Sequence, residues 1–189
     1  MSARIAKAKG GAPVKRRLLE DAQAGDERAF ADLIRGFDQS FRLLAYRLLG
    51  DRREMEDALQ EAYVKAFLGL PRFRGESALS TWLYRIVYNS CLDQLRRVPK
   101  EERALHVEPS AVATDPADLV ATRATLEEAL AALAPIDRAA VLLVDAEGLS
   151  YDDTATIVGV PRGTIASRLS RARASLRRSL GINREGVSR

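Results

Sequence analysis

The stretch that decides the fold is Leu149–Arg178, which reads LSYDDTATIVGVPRGTIASRLSRARASLRR. Ser150 is a suitable N-cap residue, and the two aspartates that follow it suit the positive end of a helix dipole. Gly159 can adopt the left-handed conformation that ends a helix, and Pro161 suits the first turn of the next one. Two short helices joined by such a turn predict a helix-turn-helix.

The second of these helices has a basic and hydroxyl-bearing side opposite an apolar one. No acidic residue occurs between Gly159 and Leu180, whereas a face that only solvates a helix usually mixes both charge signs. A solvated surface remains the alternative interpretation. We favour DNA binding, with these candidate residues: Arg162, Thr164, Ser167, Arg168, Arg171 and Arg173.

The composition predicts an all-α protein. The chain has 189 residues, of which 47% are hydrophobic and only 6% aromatic, and it lacks sustained alternating runs of β-branched residues. We therefore expect no sheet. The length leaves room for one large or two small domains. We expect two small helical domains joined by a flexible linker, the C-terminal one a four-helix domain that contains the helix-turn-helix.

Cysteine and histidine each occur once, as Cys91 and His106, so one chain can form neither a disulfide nor a Cys/His metal site. We expect no metal and no cofactor, and we interpret Cys91 as a small core residue. No apolar run reaches the ~18 residues of a membrane span, and no secretion signal is apparent. The sequence predicts a cytoplasmic protein with no membrane contact of its own.

Apolar residues recur every three or four positions from Phe30 to Leu48, which predicts one long helix or two in tandem, ended by Gly50. Asp51 can cap the next helix. That helix carries a group of acidic and amide side chains: Glu54, Glu56, Asp57, Gln60 and Glu61. A solvated face is one interpretation of this group, and a docking site for a basic protein partner is the other.

A loop, LPRFRGES, follows at residues 70–77, and Ser80 or Thr81 can cap the helix after it. In that helix Trp82, Tyr84 and Tyr88 alternate with basic and amide residues. Such alternation suits single-stranded nucleic acid, because bases stack on aromatic rings at ~1–3 kcal/mol each while guanidinium groups contact phosphates. Trp82 can equally be a core residue.

Composition divides the chain into five parts. The N-terminal residues are basic and lack periodicity, and a polar, proline-containing run interrupts the periodicity again after Pro99. We expect a disordered basic arm at 1–16, a first domain at 17–98, a linker at 99–118, a second domain at 119–181 and a disordered tail at 182–189.

The assembled order resembles the extracytoplasmic-function (ECF) sigma factors of bacterial RNA polymerase. The resemblance covers Leu18 to Leu180 and depends on GDERAFADLI, REMEDALQEAYVKAF, FRGESALSTWLYRIVYNSCLDQLRR and the helix-turn-helix stretch. It implies that the first domain is sigma region 2 and the second is region 4. It also implies promoter-specific initiation with core RNA polymerase, with a short linker in place of the large middle domain of primary sigma factors.

The resemblance assigns roles to particular residues. Asp57, Gln60 and Glu61 match the helix that docks on the clamp coiled coil of the largest polymerase subunit, and region 4 contacts the flap of the second largest. The six helix-turn-helix residues match the reader of the minus-thirty-five element. The residues that match the minus-ten segment, which captures the melted strand and lies on adjacent duplex, are Phe73, Arg74, Ser80, Thr81, Trp82, Arg85, Asn89, Arg96 and Arg97. The family also implies an anti-sigma factor that holds the protein inactive until a stress signal.

Two other classes of function are weaker interpretations. A simple transcriptional regulator would share the helix-turn-helix, but it would need a ligand pocket or a phosphoacceptor site in the first domain. A nuclease or other DNA enzyme would need a metal-binding carboxylate set, or a nucleophile and a base. The acidic residues cluster on one helix without histidine, so we expect no enzyme.

Overall fold

The structure is a computed structural model that describes residues 12–97 and 125–181. Every regular element in these two ranges is a helix, so the predicted all-α class is confirmed for the described part of the chain. No helix in those ranges has the length and apolar character needed to cross a membrane. The expected linker at 99–118 and tail at 182–189 lie outside the described residues.

The first described range contains helices α1 (Ala12–Gln23), α2 (Glu27–Arg35), α3 (Asp38–Leu49), α4 (Arg52–Gly69) and α5 (Leu79–Arg97), with a 3-10 turn at Leu70–Arg72. The helix boundaries follow from local chemistry. Gly50 ends α3 in the left-handed conformation, with φ of 78°. The Asp51 carboxylate then caps α4 by accepting a hydrogen bond of 2.8 Å from the backbone N–H of Glu54. Both predicted boundaries are confirmed.

Two details differ from the sequence prediction, and a third decides between the two alternatives, one long helix or two in tandem, that the sequence left open. The apolar run from Phe30 to Leu48 forms two helices, because the chain turns at residues 36–37. Residues 12–16, expected to belong to a disordered arm, are helical, because α1 continues into a segment that packs through Leu18, Leu19 and Ala22 against α2 and Leu70. Helix α5 begins at Leu79, ahead of both proposed caps. The rest of the expected arm, 1–11, is outside the described residues.

The second described range begins with a helix at 125–131, labelled α6. Helix α7 (Pro135–Val141) continues as a π-helical turn at Leu142–Ala146, and α8 (Tyr151–Val158) and α9 (Arg162–Ser179) follow. The Ser150 hydroxyl caps α8 by accepting from the backbone N–H of Asp153 at 3.0 Å. Gly159 is left-handed, with φ of 76°, as the helix-turn-helix prediction requires. Pro161 lies immediately before α9 rather than within its first turn.

One continuous apolar core joins the two described ranges. Phe41 and Leu44 from α3 and Val87 and Cys91 from α5 belong to the same buried cluster as Leu143 after α7. Cys91 is fully buried, as expected of a core residue, and burial raises the pKa of its thiol to about 12. Each fully buried leucine or phenylalanine contributes about 1.5–3 kcal/mol to folding. The C-terminal helices therefore pack directly on α3 and α5.

Candidate nucleic-acid interface

An open cavity of about 750 Å³ lies beside the loop between α4 and α5. Helix α1 fixes the start of this loop, because the Gln23 side-chain amide donates to the carbonyl oxygens of Leu70 and Phe73, at 3.3 and 3.0 Å. The cavity lining combines aromatic rings with three arginines, and its residues are Pro71, Arg72, Phe73, Arg74, Glu76, Ser77, Trp82, Arg85 and Thr156. Rings and guanidinium groups around one cavity suit an unpaired base and its phosphates.

Two predicted strand-binding aromatics lie together at this cavity. The ring centroids of Phe73 and Trp82 are 5.2 Å apart and the rings are tilted by 43°. Trp82 is half-buried, so its indole contributes to the core and also reaches the cavity. The end of α4 comes close to the indole, since a Cβ on Gly69 would lie 3.1 Å from the Trp82 Cζ2. Glycine at this position therefore permits the indole to sit where it does.

The sequence suggested that the other aromatic residues of α5 alternate with its basic side chains on the surface. The structure shows that they do not. Tyr84 and Tyr88 are both buried, and the Tyr84 ring packs edge-on against Phe41 at 5.0 Å. The physical reason is that both tyrosines occupy the same apolar side of the helix as Val87 and Cys91. The predicted DNA-contacting residues Arg85, Asn89, Arg96 and Arg97 are exposed on the opposite side.

Thr81 has a different environment from the other residues proposed to contact the minus-ten strand. Its side chain is only 1% exposed, and its hydroxyl donates a hydrogen bond of 2.8 Å to the carboxylate of Asp153 on α8. Ser80 is half-buried and Arg74 is exposed. A strand that contacts Thr81 therefore requires α8 to move away from α5.

On α4, the group of acidic residues is divided between the surface and internal contacts. Asp57 and Gln60 are exposed. Glu56 pairs with Arg42 on α3, with 2.6 Å between the closest N and O atoms. The expectation that Glu54 belongs to the exposed group is wrong, because that side chain is only 8% exposed and turns into the domain.

Glu61 belongs to an ion-pair network between α4 and α5. It accepts hydrogen bonds from the Arg97 guanidinium and pairs with the Lys65 ammonium at 2.9 Å, while Lys65 also pairs with Asp93 at 3.3 Å. The Arg97 and Lys65 hydrogen bonds, stronger than the opposing effect of burial, lower the pKa of Glu61 from 4.5 to about 2. Glu61 thus helps to hold the two helices together.

The same face of α4 carries two exposed apolar side chains that sequence reasoning missed. Val64 is 55% exposed and Leu68 is 69% exposed. They follow Gln60 at successive intervals of four residues, so all three lie on one side of the helix. This spacing was the signal available in the sequence, and it extends the predicted docking face with an apolar strip.

On α9, the predicted minus-thirty-five residues are split between exposed and paired side chains. Ser167 and Arg171 are exposed and Thr164 is half-buried, whereas Arg162 is exposed but pairs with Asp152 at 3.3 Å. Arg168 pairs with Asp137 on α7 at 3.0 Å, and Arg173 makes a bidentate pair with Asp145. The free side of the helix is therefore narrower than the sequence suggested.

Two family models match the chain, sigma-70 region 2 over residues 33–100 and sigma-70 region 4 over residues 123–176. The ECF RNA polymerase sigma factor SigM of Mycobacterium tuberculosis is 40% identical over 171 residues, which cover 90% of this chain and 87% of that protein. The chain belongs to the ECF sigma factors. The RNA polymerase sigma-H factor of Pseudomonas aeruginosa is 35% identical to this sigma factor, over 86% of this chain and 92% of its own.

A solved structure also resembles this sigma factor. It is the sigma factor RpoE in complex with the anti-sigma factor NepR from Bartonella quintana, with a TM-score of 0.62 and 27% identity. The match covers 91% of this chain and 99% of the solved one. Every residue proposed to bind polymerase or the minus-ten element lies within the region 2 match, and every proposed minus-thirty-five residue lies within the region 4 match. The individual roles of these residues stay predictions.

Proposed function

We propose that this ECF sigma factor opens a promoter by capturing one melted strand in the cavity between α4 and α5. The single observation that carries this proposal is the lining of that cavity, where Phe73 and Trp82 stand beside Arg72, Arg74 and Arg85. Unstacking a base costs a few kcal/mol, and a preformed site with rings and guanidinium groups offsets that cost. Opening is thus achieved by trapping, without chemistry on the DNA, so the protein acts as an initiation factor and not as an enzyme.

Polymerase docking is the second part of the proposal. The exposed α4 face, with Asp57 and Gln60 followed by Val64 and Leu68, offers a carboxylate for a basic partner and an apolar strip beside it. We assign this face to the clamp coiled coil of the largest polymerase subunit, and region 4 to the flap of the second largest. The exposed side of α9 then binds the minus-thirty-five element. These partners place the protein in the cytoplasm.

The decisive experiment is transcription in vitro with core RNA polymerase and genomic DNA of the bacterium that encodes the chain. Mapped transcript starts should share two sequence elements upstream, and the protein alone should bind the recovered promoters weakly. An absence of specific starts would refute the function.

The docking face is tested with Asp57→Arg, which reverses an exposed charge that makes no ion pair with the described residues. We expect weaker binding to core polymerase and unchanged thermal stability. Asp21→Arg makes the same reversal on the exposed surface of α1, outside both proposed polymerase contacts, and should leave polymerase binding unchanged. Equal binding of the two variants to core polymerase would show that Asp57 does not belong to the docking face.

We also propose that an anti-sigma factor holds this protein inactive, as the solved complex of RpoE with NepR suggests for a similar chain. The protein isolated from unstressed cells should carry a second protein that inhibits its transcription when added back in equal amount. Isolation of a fully active, uncomplexed protein from those cells would contradict this part of the proposal.

A further inference from the structure

The loop that forms the strand-capture cavity is attached to a helix outside the proposed site. Helix α1 ends at Gln23, whose side-chain amide donates to the carbonyl oxygens of Leu70 and Phe73, at 3.3 and 3.0 Å. These two carbonyl groups lie at the two ends of the 3-10 turn, and the Leu70 oxygen also accepts the backbone N–H of Phe73 at 3.0 Å. One amide group therefore holds both ends of the turn against α1.

Apolar packing supports the same attachment. Ala22 on α1 and Leu70 in the turn are both buried, with 1% and 0% of their surface exposed. They form a small core with two buried residues of α2, and Phe73 and Trp82 pack against that core. The two aromatic rings of the cavity therefore lie on a support that α1 and α2 build.

The segment that α1 holds has few backbone hydrogen bonds of its own. From residue 73 to residue 78 the backbone is irregular, so the repeating hydrogen bonds of a helix do not fix it. The Phe73 ring lies beside the Trp82 indole, with 5.2 Å between the ring centroids. The hydrogen bond from Gln23 thus restrains the backbone of a residue whose side chain lines the cavity.

We propose that Gln23 is a positioning residue for strand capture. It holds the backbone of Leu70 and Phe73 so that the Phe73 ring is in place before a base arrives, and it contacts no DNA itself. A site that is ordered in advance avoids the entropic cost of ordering the loop when the strand binds. Helix α1 precedes residue 33, where the region 2 match begins. The role in capture rests on the function proposed above, whereas the hold of Gln23 on the loop does not.

Two substitutions separate hydrogen bonding from packing. Gln23→Ala removes the amide, whereas Gln23→Glu keeps the size of the side chain and replaces its N–H donor with a carboxylate oxygen, which repels the two carbonyl oxygens. Gln23 is half-buried in the last turn of α1, so we expect unchanged helix content in both variants. The matched control is Gln39→Ala, at an exposed position on α3 that belongs to no proposed site.

The first measurement uses the free, full-length chain without DNA or polymerase. Trp82 is the only tryptophan, and quenching of its fluorescence by acrylamide measures how well the loop covers the indole. We expect stronger quenching in both Gln23 variants than in the wild type, and wild-type quenching in Gln39→Ala. Wild-type quenching in the Gln23 variants would show that this side chain does not hold the loop and would overturn the proposal.

The second measurement separates promoter binding from promoter opening. Holoenzyme is assembled with each variant at saturating core polymerase, on a mapped promoter that carries 2-aminopurine in its minus-ten element. Affinity for the duplex, measured at low temperature before opening, should match the wild type. The opening rate should fall at least about threefold in both Gln23 variants, since two neutral hydrogen bonds are lost.

The outcomes distinguish this role from general damage and from failure of the proposed function. Wild-type opening rates in both Gln23 variants, or an equal loss in binding and opening, would overturn the positioning role. Wild-type opening by Gln23→Glu alone would assign the effect to side-chain size and would overturn the role of the hydrogen bonds. If the wild-type holoenzyme opens no promoter, the proposed function fails and the role in capture fails with it, while the quenching result still decides whether Gln23 holds the loop.

Discussion

Arg97 on α5 donates two hydrogen bonds to the carboxylate of Glu61 on α4, at 2.8 and 3.2 Å. The sequence assigned these residues to different partners, Glu61 to RNA polymerase and Arg97 to promoter DNA. The structure shows that the two side chains bind each other within the protein. A variant at either position therefore changes the α4–α5 contact as well as any intermolecular one, and only paired variants can separate the two effects.

Exchanging the two charges is such a paired variant. Glu61→Arg places a third cation beside Arg97 and Lys65, so we expect a lower melting temperature. Adding Arg97→Glu restores an opposite pair and should recover part of the loss, although Lys65 still faces an arginine. If the Glu61 carboxylate also contacts polymerase, the exchanged protein will still bind core enzyme weakly. Thermal unfolding and polymerase binding of the three proteins distinguish these outcomes, and a double variant no more stable than Glu61→Arg would contradict the pairing.

The depressed pKa of Glu61 also predicts a pH dependence. Its ionised form is favoured in the folded protein, so its contribution to stability is complete above the ordinary pKa of 4.5 and is lost as the pH falls towards about 2. The stability difference between wild type and Glu61→Gln should therefore be constant from pH 7 to pH 5.5 and should shrink below pH 4.5. Melting temperatures at several pH values measure it. A difference that grows on acidification would contradict the assigned pairing.

How far the sequence predicts this molecule depends on whether local signals decide the outcome. Gly50, Asp51, Ser150 and Gly159 act through their own backbone or the next turn, and the structure has each as predicted. Tyr84 was misjudged because its side chain faces α3 and the π-helical turn, which no local pattern reveals. The packing of the C-terminal helices on α5 could not be predicted from the sequence either, because its hydrogen bonds join residues more than 60 positions apart.

The close approach of Gly69 to the indole predicts an effect at the strand-capture cavity. Gly69→Ala would place a methyl group 3.1 Å from the Trp82 ring, so the indole must shift by a few tenths of an ångström. Trp82 is the only tryptophan, and its fluorescence reports this shift directly. We expect an altered emission spectrum and slower promoter opening, with unchanged helix content. Gly36→Ala is the control, because its added methyl group would meet only the Leu33 carbonyl at an ordinary 3.5 Å. The same spectrum for both variants would show that Gly69 does not position the ring.

Replacement of two arginines of α9 should affect the free energy of unfolding to different extents, although both residues were assigned to the minus-thirty-five element. Arg168 is partly buried and donates to Asp137 at 3.0 Å, whereas Arg171 is exposed. Arg168→Ala leaves the Asp137 carboxylate without its hydrogen bond, which should cost about 1–3 kcal/mol in the free energy of unfolding. Arg171→Ala should change that free energy by less than about 0.5 kcal/mol.

Promoter binding gives the complementary measurement for this pair. If Arg171 contacts a phosphate, its removal should lower the affinity for every promoter and reduce the salt dependence of binding by about one ion. If Arg171 contacts a base, its removal should cost about 1–3 kcal/mol of binding free energy and relax specificity at one promoter position. Polymerase holoenzyme on the mapped promoters distinguishes these two roles. Urea unfolding of the same proteins supplies the stabilities. If Arg168→Ala is as stable as wild type, the ion pair with Asp137 does not hold α9 against α7, and Arg168 becomes as free as Arg171 to contact DNA.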